Sequence, residues 1–192
     1  MASEALDFIW YNVMTMNSKD PNQDQKTEIF HSTTHGDVTL EEVISFIKEF
    51  LEEQPSNEYS LVIGTDSQEH INASNEEKYL QLISAIVVHR RGWGGKYFWQ
   101  KKKILKIKTL RQKIYAETLA SLDLATIFVP LLKKSLNGHS PKYYLEIHVD
   151  IGEHGATREM IKEIVGMVSG NGFVAKTKPD SFGASYIADK HT

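Results

Sequence analysis

Two apolar runs separated by a glycine-rich turn constrain this chain more than any other feature. Tyr79–His89 reads YLQLISAIVVH and Lys96–Leu105 reads KYFWQKKKIL. Both suit a pleated, half-buried surface, because β-branched and aromatic side chains pack well there. Arg90–Gly95 between them contains three glycines, and the pattern predicts a hairpin. The short apolar run Leu61–Thr65 predicts a strand before it. Thr109–Leu136 has helical periodicity, with Pro130 expected to kink or divide the helix. Beyond it the pattern predicts a strand over Tyr143–Asp150 and a helix over Ala156–Ser169, stopped by Gly170–Gly172. A strand over Phe173–Lys178 and a short helix over Ser181–Lys190 complete the chain.

Upstream, Thr39 and Glu42 form a capping-box pattern. Val43, Ile44, Phe46, Ile47, Phe50 and Leu51 follow at helical spacing, and Pro55 lies just past them. A helix over about 40–53 is expected. Residues 1–36 read as a poorly specified arm, with Phe8, Ile9, Trp10 and Tyr11 in its first half, and 37–192 as the domain. The order after the first helix is β-β-β-α-β-α-β-α. The expected fold is therefore α/β: a mixed five-stranded sheet, helices on both faces, and an extra N-terminal helix.

The chain has 192 residues, enough to bury a core in one domain. Its net charge of -3 gives no global basic signature, so nucleic-acid contact would need a local patch. It has no cysteine. That excludes disulfides, thiolate metal sites and cysteine nucleophiles, and suits a reducing compartment. With no leader-like N-terminus, a cytoplasmic protein is expected.

The carboxylates suggest a chemistry. Asp66 ends LVIGTD and Asp150 ends LEIHVD, each at the close of an apolar run. Side chains alternate along a strand, so Val62, Gly64 and Asp66 share a face, as do Glu146, His148 and Asp150. Glu117 interrupts the stripe Leu110, Ile114, Ser121, Leu124 and Phe128, which should lie on the sheet. Asp123 falls nearer the opposite side of that helix. Asp189 lies three residues from the end, where an ordinary surface acid is the plain reading. Converging carboxylates repel unless a cation or proton is shared, so metal binding is the first hypothesis. His148 reads as a hydrogen-bonded structural histidine. His154 is on the loop after Asp150, either solvated or placed to move a proton. No HExxH, P-loop or GxSxG pattern occurs, which leaves zinc protease, nucleotide-binding and serine hydrolase chemistry unsupported.

Lys101, Lys102, Lys103, Lys106, Lys108, Arg111 and Lys113 crowd into thirteen residues, just after Trp93, Tyr97, Phe98 and Trp99. Lysines beside stacking aromatics suit nucleic acid. Lysines on an edge strand also block edge-to-edge aggregation.

The order of elements and the placement of the acids resemble the ribonuclease H-like superfamily. IGTDSQ, EIHVDIG and ADKHT are similar to the YkuK-type family of bacterial proteins within it, over about 60–192 and back to 37 with the preceding helix. The resemblance implies that Asp66, Glu117, Asp150 and Asp189 hold two divalent ions, Mg²⁺ or Mn²⁺; His154, from its place near Asp150, is the candidate to assist. It implies a metal-dependent nuclease acting on RNA or an RNA/DNA hybrid, with Lys101, Lys102, Lys103, Lys106 and Lys108 on the nucleic acid. The alternative is a non-catalytic nucleic-acid-binding or regulatory module on the same fold. Either Glu117 or Asp123 is the helix acid. At the C-terminus, Tyr186 and Ile187 are the expected apolar anchors for Asp189.

Overall fold

The computed structural model describes residues 28–71, 78–105, 107, 109–137, 141–153, 157–182, 186–187 and 190. Its elements run β1 (Ile29–Ser32), β2 (Gly36–Thr39), α1 (Leu40–Glu52), β3 (Tyr59–Ile71), β4 (Lys78–Arg90) and β5 (Gly94–Leu105), then α2 (Leu110–Ser135), β6 (Tyr143–His148), a 3₁₀ turn at Arg158–Met160, α3 (Ile161–Gly170) and β7 (Val174–Lys176). The strands form one mixed sheet in the order β2-β1-β5-β4-β3-β6-β7. β3, β4 and β5 form an antiparallel meander, and β6 lies parallel to both β3 and β7.

The sheet therefore has seven strands, not five. The two additional strands are β1 and β2, in a segment whose first part reads as arm. Each has four residues and one fully buried side chain, Phe30 or Val38. One buried residue per strand leaves no alternation to read. Gly36, which opens β2 just after the turn, takes a φ of 73°, a conformation glycine adopts without steric cost. The α1 helix starts at its capping box, Thr39 Oγ1 accepting from the Glu42 amide and Glu42 from the Thr39 amide. It is not an addition in front of the sheet, because a hairpin of that sheet precedes it.

The core explains this layering. Val43, Ile47 and Leu51 of α1, Ile114, Phe128 and Leu132 of α2, and Ile164 and Val168 of α3 join one buried cluster with Leu61, Ile63, Ile86, Val88 and Ile147 of the sheet. The α1, α2 and α3 helices thus pack on one face. On the other face Ile83, Ala85 and Trp99 gather around Ile187, and Tyr186 and Ile187 are helical. Ile187 is an anchor as expected, whereas Tyr186 is largely exposed. Pro130 does not divide α2, which runs as one helix through it with the ring on the exposed side. By length and composition α2 would span a membrane, but most of that stretch is buried inside the fold.

β5 is not an edge strand. It pairs with β4 along its length and with β1 through His31 and Trp99. Phe98 is fully buried and Trp99 nearly so, so of the four expected stacking aromatics only Trp93, in the β4–β5 turn, is strongly exposed.

Phe30 is the measure of whether the first hairpin is integral. Phe30→Ala is expected to cost about 3 kcal/mol of unfolding free energy in urea titration. A loss under about 1 kcal/mol, the size of a surface change, would make the hairpin peripheral.

Candidate functional site

The site begins where a pairing stops. β6 lies parallel to β3 from Tyr59–Tyr143 to Gly64–His148. β3 does not end there. It runs on to Ile71 against β4 alone, so Asp66 is inside a strand rather than at its end. Asp150 is two residues past the end of β6. Each aspartate thus follows the last parallel rung by two residues: Asp66 within its strand, and Asp150 in a tight turn where the Ile151 amide donates to the Val149 carbonyl at 2.9 Å. Asp66 points away from the α1–α2–α3 side, as does His148; Val149 and Ile151 join the helix-side core, and Asp150 between them meets Lys178 instead. The Asp66 carboxylate accepts from the Ser67 amide at 2.7 Å.

Ser67 points the other way, into the helix layer, where its hydroxyl donates to Glu117 Oε1 at 2.5 Å. Glu117 is only 4% exposed. Its neighbours make a polar seam between α2 and the sheet. Ser121 Oγ lies 2.9 Å from Thr65 Oγ1, which lies 2.8 Å from Ser84 Oγ. Lys113, one turn before Glu117, stands 3.7 Å from Oε1 and donates to the Ser67 carbonyl at 3.1 Å. Beyond Gly64 no β6 residue screens β3, so Glu117 feels both aspartates across this notch. Its pKa is raised to about 7, first by burial and further by the charges of Asp66 and Asp150, against the lowering effects of Ser67 and Lys113.

Asp123, the other candidate for the helix acid, is elsewhere. It is half-buried, and its charged neighbours are Lys102 and Glu28. Burial is the main cause of its raised pKa.

Lys178 enters from beyond β7. Val149 donates to the Lys176 carbonyl at 2.9 Å and Lys178 to the Ile151 carbonyl at 2.7 Å, which sets its backbone against the Asp150 loop. The ammonium stands 2.8 Å from Asp150 Oδ1. That oxygen is shut off from solvent and has no aligned hydrogen bond, so the contact is a close ion pair. A hydrogen bond from the ammonium would only strengthen the same attraction; Asp150, and more weakly Asp66, hold the Lys178 pKa up. A cavity of about 640 Å³ opens beside this pair, lined by Asp150, Glu153, Thr157, Lys178 and Asp180 among others.

His148 is the structural histidine expected. It is buried, its Nδ1 accepts from the Phe182 amide at 3.2 Å, and its Nε2 faces Glu146 at 3.3 Å. Burial keeps its pKa below the usual value, so a neutral ring donating from Nε2 satisfies both contacts.

The three lysines of the basic stretch that lie on β5 divide by register. Lys101 pairs with Ile83 and Ile83 with Asp66; Lys103 pairs with Gln81 and Gln81 with Gln68. Directly opposed residues share a face, so Lys101 and Lys103 lie on the Asp66 side, about 10 Å away at two strand spacings. Lys102 points to the helix side and pairs with Glu28 at 2.7 Å. Lys103 Nζ sits 4.0 Å from the centre of the Tyr79 ring. Lys106, Lys108, His154 and Asp189 lie outside the described residues. Ile187, two positions before Asp189, is seated on the Asp66 face.

The ribonuclease H-like family matches this sequence over residues 42–192. The chain belongs to that family. It is 29% identical over 177 residues to the uncharacterized protein YkuK of Bacillus subtilis (strain 168), covering 85% of this chain and 96% of the relative. No solved structure matched.

Among the described residues no three His, Asp or Glu side chains form a closed metal-binding group. What the site offers is a pair of aspartates aimed past one strand pairing, a buried glutamate that feels both, and a cation already drawn in. Mg²⁺ is commonly held by one or two carboxylates together with waters and substrate phosphates. The oxygen donors therefore fit such an ion, and the Lys178 ammonium shows where positive charge is favoured.

Ser67 and Lys178 are the residues sequence reasoning missed, and Lys113 was legible only as part of the basic stretch. Lys113 had a signal in its four-residue spacing from Glu117; Lys178 had none.

Glu117 gives a pH test. With an ordinary unfolded pKa of 4.5 and a folded value about 7, the native state binds the extra proton between them. Its contribution is present below pH 4.5 and lost as pH rises through about 7. Wild type should lose ~3 kcal/mol more stability than Glu117→Gln between pH 4.5 and 8. Parallel stability–pH curves for the two proteins would contradict a buried, raised Glu117.

Proposed function

We propose that this protein is a metal-dependent nuclease that hydrolyses phosphodiester bonds in RNA or an RNA-containing duplex. The observation that carries the reading is the convergence of Asp66 and Asp150 beyond the last β3–β6 rung, both acting on one ammonium. The ribonuclease H-like resemblance implies that such acids sit where phosphate chemistry occurs. Asp66 and Asp150 would hold Mg²⁺ or Mn²⁺, with Glu117 reaching in from α2 and Asp189 from the C-terminal segment to complete a two-ion site. Bound ions would supply an activated water and stabilise the leaving oxygen.

The protein's own groups do the rest. Ser67 fixes the Glu117 carboxyl with a hydrogen bond at 2.5 Å. Glu117, poised at about 7, can hold or release a proton beside Asp66 near neutral pH. His154 is proposed to assist proton movement from the loop after Asp150. Lys101 and Lys103 would neutralise phosphates on the Asp66 face. Ile83 lies between Lys101 and Asp66 and is covered, so the track runs one row further out, over Gln68, Gln81 and Lys103, all at least partly exposed. Lys106 and Lys108 are proposed to extend this basic track. A cytoplasmic location is part of the same reading, with no cysteine to need an oxidising one.

One observation favours a second reading. Asp150 is paired with Lys178 and Glu117 with Lys113. Acids neutralised by lysines suit a nucleic-acid-binding module that has the fold without the catalysis.

The two readings part on one substitution. Asp66→Asn should abolish Mn²⁺-dependent cleavage of an RNA/DNA hybrid while leaving the metal-free protein equally or more stable, because a repelling charge is removed. Mn²⁺ should raise the melting temperature of wild type and raise that of the variant less. Equal shifts would remove Asp66 from the site. No cleavage by wild type, with binding retained, would favour the second reading.

Register makes the lysine test sharper. Lys101→Gln with Lys103→Gln should weaken binding of all sequences alike and lower the salt slope by roughly one to two. Lys102→Gln should do neither, since its side chain faces Glu28. An equal effect from Lys102→Gln would place the nucleic acid elsewhere.

A further inference from the structure

We propose that Lys178 is a built-in counter-cation of the acid site, holding the place of a divalent ion at Asp150 and displaced from it when that ion binds. The inference rests on the metal reading of the site and adds a residue to it.

Four observations carry it. First, the position is built. Two backbone hydrogen bonds, Val149 to the Lys176 carbonyl and Lys178 to the Ile151 carbonyl, lock the strand end against the Asp150 loop. Second, the stem has a bed. A Cβ on Gly152 would come within 3.1 Å of the Lys178 Cβ, so the absence of a side chain at Gly152 lets the lysine lie across the loop. Third, the charge is shared. The Lys178 ammonium is 2.8 Å from Asp150 Oδ1 and also feels Asp66, the two residues proposed to hold an ion. Fourth, the ammonium can leave. The Lys178 side chain is 56% exposed and Asp150 only 25%, with a cavity of about 640 Å³ beside them. The carboxylate stays put while the lysine can swing out.

The physical consequence is competition. An ammonium and a divalent ion at one carboxylate repel strongly at such distances. Binding the ion must therefore move the ammonium, and that cost weakens the apparent metal affinity. Without metal, Lys178 relieves the repulsion among Asp66, Asp150 and Glu117. Once displaced, it remains tethered at the rim of the cavity, free for a phosphate oxygen. Lys176, two residues earlier, faces Glu146 at 3.7 Å instead, and so serves as the control for loss of a nearby positive charge.

The test uses the full chain and Mn²⁺ alone, without nucleic acid. Lys178→Met keeps the stem and removes the charge; Lys178→Gln is a second variant that keeps a polar end. Calorimetric titration should show both binding Mn²⁺ at least about ten-fold tighter than wild type, with Lys176→Met close to wild type. Adding Asp66→Asn should abolish the tightening. A second readout follows Lys178 itself: labelling by an amine-reactive reagent, mapped by mass spectrometry, should rise on adding Mn²⁺. Equal or weaker Mn²⁺ binding by the Lys178 variants, with wild type binding in an Asp66-dependent way, would overturn this inference and leave the metal site standing. Tightening that survives Asp66→Asn, or no Mn²⁺ binding by wild type and variants alike, would overturn the metal reading and this inference together.

Discussion

The parallel pairing of β3 with β6 sets everything else at the site. It ends at Gly64–His148, and each strand then carries an aspartate two residues on. Alternation along β3 directs Asp66 away from the helices, and the turn after β6 leaves Asp150 close enough that both charges act on Lys178. β3 continues against β4 as a rigid support, while the chain after β6 turns off to meet β7. That divergence opens the notch through which Glu117, on the other side of the sheet, feels both charges. A slip of one residue in this pairing would send one aspartate into the helix layer.

Three acids brought this close must be balanced. The fold does so with a proton and two lysines. Glu117 is buried and hydrogen-bonded to Ser67, and its raised pKa lets it carry a proton near neutrality. Lys113 stands beside it on the preceding helical turn. Lys178 faces Asp150. The lysine pairs are what make a non-catalytic module arguable. They are equally what an acid site needs while no metal is present, because unpaired carboxylates in a half-buried notch would destabilise the fold. The two accounts differ over whether Lys178 is a permanent partner or a displaceable one.

How much of this was legible in the sequence depended on how local the signal was. The capping box at Thr39 and Glu42 placed α1, and the glycine-rich turn placed β4 and β5. Glu117 stood out as a charge in an apolar stripe, and it is buried there. The end of β3 was not legible, because beyond Asp66 the strand has a neighbour on only one side and its sequence turns polar. The β1–β2 hairpin was hidden by its size, with Phe30 and Val38 as its only buried apolar residues. Aromatic residues before the lysines read as a stacking surface, but Phe98 and Trp99 are core because β5 is an inner strand. Lys178 could not be seen at all, since its partner lies across a parallel strand pair, and only the fold says which loop it meets.

The central claim is that Asp66 and Asp150 form one cation site. Crystals soaked in Mn²⁺ and measured at the manganese absorption edge test it directly. The account predicts an anomalous peak between these two carboxylates, with the Lys178 ammonium withdrawn from Asp150. A map with no peak there, and Lys178 still paired to Asp150 at saturating Mn²⁺, would contradict it.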